Sequence, residues 1–298
     1  MLLNFIVWDL RPQILQLNSF EIRYYSLMFG LGFILGYYIL ARFFKREGVN
    51  LELLDKLTFY IIIATIVGAR FGHCLFYEPE TYLRQPWKII MPFEGKIGSG
   101  FRFTGFQGLA SHGGAIGILI GLYLYTKKTK VPYLWILDRL AIVTALAATF
   151  IRIGNFFNSE INGIPTDLPW GVKFMRVWDD FDRTAGEILP KHPAQLYEAL
   201  AYLLIFVLLF YLYNKKLEKL RPGFFIGWFL VLVFTARFFI EFVKDIQVDF
   251  EAGMALNMGQ ILSIPFVVLG IYLLLHKFES KPIKPVLGQP GKNKTPGK

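Results

Sequence analysis

Seven stretches of the chain are apolar over roughly the length of a membrane-crossing helix: residues 24–44, 57–77, 113–125, 134–151, 196–213, 224–242 and 258–276. The third is short, and its outer end merges with the polar loop before it. Charged residues cluster between these runs. Lys45, Arg46 and Lys56 follow the first, and Lys127, Lys128 and Lys130 follow the third. Lys215, Lys216, Lys219 and Arg221 follow the fifth, and Lys277, Lys281 and Lys284 follow the seventh. Basic residues in alternate short loops mark the cytoplasmic side. The pattern therefore predicts an all-α integral membrane protein with seven transmembrane helices, its N-terminus outside and its C-terminus cytoplasmic. Three segments then face outward. Residues 78–111 are Gly-rich, and residues 244–257 are short and acidic. Residues 155–194 carry Trp170, Trp178 and several Pro and Gly, which predicts a small extracytoplasmic cap. Residues 1–280 read as one polytopic domain. The tail 281–298 repeats Pro, Gly and Lys and reads as disordered and basic.

Composition agrees with this reading. Of 298 residues, 54% are hydrophobic and only 18% are charged, whereas a soluble domain carries about 25% charged residues. The net charge of +10 is mostly the topology signal, with some attraction to anionic lipid heads. No basic–aromatic stripe suited to nucleic acid is present. The lone Cys74 permits no intrachain disulfide and, inside an apolar run, reads as a buried, inert thiol. Asp9, Arg11 and Pro12 break any early apolar stretch, so no cleaved signal peptide is expected. No strong internal repeat appears, which counts against an inverted-repeat transporter.

Polar residues at membrane depth carry the chemistry. The fourth run ends in Arg152-Ile153-Gly154-Asn155-Phe156-Phe157-Asn158-Ser159-Glu160. A central arginine costs roughly 2.5 to 3.5 kcal/mol to insert, less toward the interface. Arg152 and Asn155, three apart, share a helix face, and Gly154 lets another backbone approach or the helix break. Such a segment can also be a polar helix end meeting water, but four polar groups in nine residues favour a site. Ser111-His112-Gly113-Gly114 leaves an imidazole accessible at a helix start, able to take or give a proton. Arg237 and Glu241 are four apart and share a helix face, where they can be a self-neutralising ion pair without function or part of a polar site. Arg70 is a further charge at depth, and His73 beside it reads as interface decoration. His192 before Pro193 reads as a helix-entry element, with Gln195 and Glu198 facing the same polar cavity. Three intramembrane arginines near the outer leaflet point to one anionic site, because arginine suits bidentate phosphate contact. The natural phosphate at that depth is a phospholipid head group. The four histidines lack paired metal-ligand spacing, so no metal or cofactor is expected, and nucleophile-elbow and phosphate-loop motifs are absent.

These residues resemble one family, the bacterial prolipoprotein diacylglyceryl transferases. The matching segments, in family order, begin with Tyr24-Tyr25-Ser26-Leu27-Met28, Gly68-Ala69-Arg70-Phe71-Gly72 and Ser111-His112-Gly113-Gly114. Arg152 to Glu160 with Gly163, then His192-Pro193-Ala194-Gln195-Leu196-Tyr197-Glu198, Arg237 with Glu241, and Met258 to Pro265 complete the set. Together they cover nearly the whole chain before the tail. The Arg-x-Gly-Asn-Phe-x-Asn-x-Glu element is the most specific.

The resemblance implies a reaction. The diacylglyceryl group of phosphatidylglycerol moves to the lipobox cysteine thiol of a preprolipoprotein, a thioether forms, and glycerol phosphate leaves. It places His112, Arg152 and Arg237 at the catalytic centre. Phosphatidylglycerol is expected to meet Arg152, Asn155, Glu160, Gly163, Tyr25, Arg70, Glu241 and Arg237. Glu160 and Glu241 are expected to orient the arginines. The expected location is the bacterial inner membrane, multi-pass, with the active site toward the outer leaflet. One departure stands out: Val233 occupies a position where the family commonly has tyrosine. Two other classes remain open on residues alone. A lipid or small-anion transporter would use the same arginines without making a covalent product. A structural scaffold would not need the membrane-depth charges.

Overall fold

The computed structural model describes residues 5–17, 20–89, 93–96, 99–103, 108, 110–177, 181–182, 187–216, 221–246, 251 and 253–279. The tail 281–298 and Trp178 lie outside the described residues. The chain is mainly helical: α1 (Tyr24–Arg46), α2 (Leu51–Phe76), α3 (Pro79–Arg84), α4 (Ser111–Thr129), α5 (Tyr133–Phe157), α6 (Ala194–Lys216), α7 (Phe224–Ile240) and α8 (Met258–Leu275). Short 3₁₀ segments cover Pro86–Ile89 and Glu241–Val243. Among the described residues, six helices are long and apolar enough to cross a membrane: α1, α2, α5, α6, α7 with its 3₁₀ extension, and α8. The third apolar run forms α4, which is 19 residues long but closes on Thr126, Lys127, Lys128 and Thr129, polar positions that dilute its apolar stretch.

Local chemistry sets the helix ends. Asn50 caps α2, its side chain accepting from the Glu52 N–H at 3.0 Å. Asn257 and Gln260 form a capping box at α8, each side chain satisfying the other's backbone N–H. The start of α7 is capped from elsewhere. Asp138 on α5, fully buried, accepts from the Gly223 N–H at 2.8 Å and the Ile226 N–H at 3.0 Å. A carboxylate there satisfies otherwise orphaned donors and meets the positive end of the helix dipole.

The chain forms two compact units. One comprises Met1–Leu40 and Leu134–Ser280, the other Ala41–Tyr133. In the second, α2 and α4 pack along small residues. Ala64, Gly68 and Gly72 meet Gly113, Gly117 and Gly121, each series at four-residue spacing. Small residues let two backbones approach closely, which is how helices associate where lipid removes the hydrophobic drive. A Cβ on Gly117 would lie against the Ala64 carbonyl and 2.9 Å from the Gly68 Cα. Gly117→Leu should therefore force the pair apart and destabilise by about 1–3 kcal/mol or more. Gly114→Ala, whose new methyl meets Ala69 at an ordinary 3.6 Å, should be tolerated. Thermal unfolding in detergent separates the two, and equal melting would contradict the close-packing account.

In the first unit, strands two to five residues long lie outside the helices, where the sequence pattern gave no secondary structure. β1 (Ile6–Trp8) pairs in parallel with β6 (Val172–Phe174). β2 (Gln13–Leu17) pairs antiparallel with β3 (Phe20–Arg23), and β7 (Phe181–Asp182) with β8 (Glu187–Ile188). In the second unit, β4 (Phe93–Lys96) pairs with β5 (Ser99–Phe103). The β1–β6 pair sits on a small core of Phe156, Val172 and Phe174, with the Trp8 ring tilted against Phe156, centroids 4.4 Å apart. Part of the expected cap, residues 155–194, is thus stitched to the N-terminal strand and to the end of α5.

Candidate functional site

The end of α5 is where the first unit gathers its buried charge. Gly154 admits α1: a Cβ there would stand 3.2 Å from the Tyr25 Cα and 2.9 Å from its ring. Tyr25 thereby comes within electrostatic reach of Arg152 and Glu160. Beyond Phe157 the chain reverses through Ser159 and Ile161, both at positive φ (55° and 63°). A β-branched residue in the left-handed region is strained, and such strain persists only where the surroundings impose it. Here the reversal returns Glu160 beneath the helix end. Its carboxylate accepts from Asn155 Nδ2 at 2.7 Å and Asn158 Nδ2 at 3.3 Å, while its carbonyl accepts from Gln195 Nε2 at 2.6 Å. Gln195 also donates to Asn162 Oδ1 at 2.7 Å.

Arg152 leans the other way, onto α6. Its Nε stands 2.8 Å from Glu198 Oε2, and its Nη1 donates to Asn155 Oδ1 at 3.3 Å. Glu198 is wholly buried. Its second oxygen takes Lys244 Nζ at 3.1 Å and the Tyr202 hydroxyl at 3.3 Å. Lys244 also meets Glu241 Oε2 at 3.0 Å. The result is a continuous buried chain, Arg152–Glu198–Lys244–Glu241. Gly163 holds Lys244 there by a backbone bridge. A side chain at Gly163 would collide with Val243 and His192, whose carbonyl accepts the Gly163 N–H at 2.9 Å. Gly259 makes room for Glu241, since a Cβ there would overlap the carboxylate.

Arg237 stands apart. Its Nε is buried and makes no hydrogen bond, and no ion pair involves its guanidinium among the described residues. It shares the neighbourhood of Tyr202 with Arg152, both acting electrostatically on that hydroxyl. The expected Arg237–Glu241 pair does not form. Glu241 begins the 3₁₀ turn, in which residues three apart align, so its carboxylate meets Lys244 instead. The expectation that Glu160 orients Arg152 is also corrected. Glu160 acts through Asn155, and Glu198 makes the direct contact.

The second unit holds the other two expected site residues. His112 is exposed in the first turn of α4. Arg70 is buried, giving its Nε to the Ile89 carbonyl at 3.0 Å and its Nη2 to the Lys88 carbonyl at 2.8 Å, with the guanidinium 5.0 Å from the Tyr82 ring. These bonds make it an anchor of the 3₁₀ segment after α3. His73 pairs with Glu78 at 3.3 Å and fills the space beside Gly108, whose φ is +76°.

The family model for prolipoprotein diacylglyceryl transferase matches residues 12–276. The chain belongs to this family. Proteins named phosphatidylglycerol–prolipoprotein diacylglyceryl transferase are similar to it. One from Bacteroides fragilis is 44% identical over 95% of this chain and 99% of that one. One from Tolumonas auensis is 45% identical over 93% and 99%, and one from Porphyromonas gingivalis is 43% identical over 91% and 94%. As a member of this family the chain is a transferase, carried by a membrane-grade helical body.

In this diacylglyceryl transferase, Lys244 and Tyr202 were not legible as site residues. Lys244 follows an apolar run and resembles an ordinary helix-end cation. Tyr202 is one of many aromatics in α6. The available signal was the cost of leaving Glu198 unpaired within an apolar helix, which demands a cation from elsewhere. His192 matches its expected place at a helix entry. Its Nδ1 lies 3.1 Å from the Tyr197 hydroxyl, and burial pushes its imidazole below its ordinary value.

Proposed function

We propose that the charge cluster at the ends of α5 and α7 is the head-group site at which this chain transfers the diacylglyceryl group of phosphatidylglycerol to the lipobox cysteine of a preprolipoprotein. The observation that carries the reading is Arg237, a cation at membrane depth with its Nε buried and unpartnered, near a second arginine already oriented by Glu198. Such a guanidinium is unfavourable to hold unless an anion completes it. A phosphodiester supplies the two oxygens that a guanidinium fork fits.

The chemistry follows. The thiol sulfur attacks the glyceryl carbon bonded to the phosphate oxygen, a C–S bond forms, and the C–O bond breaks. Glycerol phosphate leaves with an added negative charge. Arg152 and Arg237 stabilise that developing charge, more strongly in a water-poor site than in bulk. Tyr25, Asn155 and Glu160 shape the wall beside Arg152, and Gly163 fixes the backbone that passes it. Tyr202 supplies a buried hydroxyl to this cluster, where Val233 has none to offer. A free thiol has an ordinary pKa near 8.5, so proton removal must accompany attack. His112 is the proposed acceptor.

On this reading α4 is the seventh span, the N-terminus and the site face outward, and both units serve one catalytic domain in the bacterial inner membrane. The family match running through both units supports the last point. The experiment is incubation of the purified protein with phosphatidylglycerol and a lipobox peptide, followed by mass spectrometry of the cysteine. A diacylglyceryl adduct is expected. Movement of lipid between leaflets with no adduct would indicate a transporter instead. His112→Gln should lower kcat by about 10²–10⁴-fold with lipid binding kept. Near-normal transfer at every pH would remove the base assignment.

A further inference from the structure

Lys244 is more than a helix-end cation. Its side chain is 3% exposed and lies between two carboxylates, Glu198 at 3.1 Å and Glu241 at 3.0 Å. Glu241 is four residues from Arg237, the spacing at which opposite charges on a helix pair. Three features draw it away. The backbone tightens to a 3₁₀ turn at Glu241, aligning it with Lys244 three residues on. Gly259 leaves the space the carboxylate occupies. The Asn257 side chain donates to the Glu241 carbonyl at 3.3 Å, tying this turn to the start of α8. The Arg237 Nε is left buried with no acceptor.

We infer that Lys244 is a positioning residue that keeps the anion site open: by holding Glu241, it prevents that carboxylate from closing onto Arg237 and occupying the place of the lipid phosphate. This inference rests on the head-group reading above and adds to it a residue that touches no substrate. Without the ammonium, two buried carboxylates lose their shared cation. Glu198 retains Arg152. Among the described residues Glu241 then retains no ion-pair partner, and Arg237 is a cation one helical turn away on its own chain segment.

The test compares variants for lipid dependence of transfer. Lys244→Met should raise the apparent KM for phosphatidylglycerol by about 10- to 100-fold, the scale of one charged hydrogen bond, with a smaller change in kcat. Lys244→Arg should behave like wild type. Adding Glu241→Gln to Lys244→Met removes the competing charge and should bring KM below that of Lys244→Met alone. A purely structural role for Lys244 predicts the opposite, because a second polar substitution in a damaged cluster does not rescue binding. An unchanged KM in Lys244→Met overturns the inference, as does a double variant no better than the single. If Lys244→Met does not fold, Lys244→Gln, uncharged but able to donate to one carboxylate, takes its place in the same comparison. Wild-type protein assayed alongside separates the two claims. No adduct from wild type would defeat the transferase reading, whereas active wild type with no Lys244 effect would defeat this inference alone.

Discussion

Replacing Arg237 with glutamine lowers kcat/KM for diacylglyceryl transfer by about 10²–10³-fold, the effect of removing one preorganised charge-stabilising group, and leaves the fold intact. Both halves follow from the same geometry. Among the described residues Arg237 has no ion pair to lose, and its Nε is buried without a hydrogen bond, so its replacement breaks no described contact of that kind. Removing an unpaired cation from membrane depth also lifts an insertion cost. The loss falls on the phosphate alone. Arg237→Lys keeps the charge but gives up the planar fork, so it should recover only part of the activity. Steady-state transfer across a lipid titration, with thermal unfolding of each variant in detergent, checks the prediction. Wild-type rates in Arg237→Lys would show that bidentate phosphate binding is not central. A collapse in melting temperature for Arg237→Gln would show that the arginine is structural.

Glu198→Ala should do the reverse, losing stability first and activity as a consequence. Glu198 joins two cations, Arg152 at 2.8 Å and Lys244 at 3.1 Å, and it is wholly buried. Deleting one partner of a buried ion pair costs about 3–5 kcal/mol, because a charge is left behind without its counter-charge; here Lys244 keeps Glu241, and Arg152 loses its carboxylate. Arg152 would then keep only neutral neighbours among the described residues, Asn155 at 3.3 Å and the Tyr202 hydroxyl. Glu198→Gln, which keeps the volume and an acceptor, should fall between Ala and wild type. Unfolding in detergent reads the ranking directly. If Glu198→Ala melts with wild type, the buried network contributes no net stability, and the contrast with Arg237 disappears.

The contrast explains which parts of the site could be read in advance. Arg152, Asn155 and Glu160 are spaced by helix geometry and a short reversal, so their meeting is a local matter that the order of residues nearly dictates. Tyr25 reaches them because Gly154 is small, and glycine at that point of the helix was itself a visible signal. Glu198 and Lys244 are 46 residues apart, and neither carries a mark that names its partner. The Arg237–Glu241 pair misled because helical spacing of four was assumed to continue, whereas the backbone tightens at Glu241. Arg70 looked like a head-group ligand from its depth, yet Lys88 and Ile89, in a segment of no clear pattern, take two of its donors.

The membrane body followed from sequence because its cause is local. An apolar run of about 20 residues has one stable arrangement in lipid, a helix that satisfies its own backbone. Six of the runs accordingly fall on helices long and apolar enough to cross a membrane, α1, α2, α5, α6, α7 and α8, and the third run falls on α4. The family, too, was legible, because its signature lies in contiguous segments. What the order of residues left open was pairing: which carboxylate holds which cation, which N-terminal strand joins the cap, and which arginine stays unpaired. Those outcomes depend on competition among several charges for the same buried space. Such competition is decided only once α5, α6 and the end of α7 are set against one another, and among the described residues it leaves Arg237 without an ion pair.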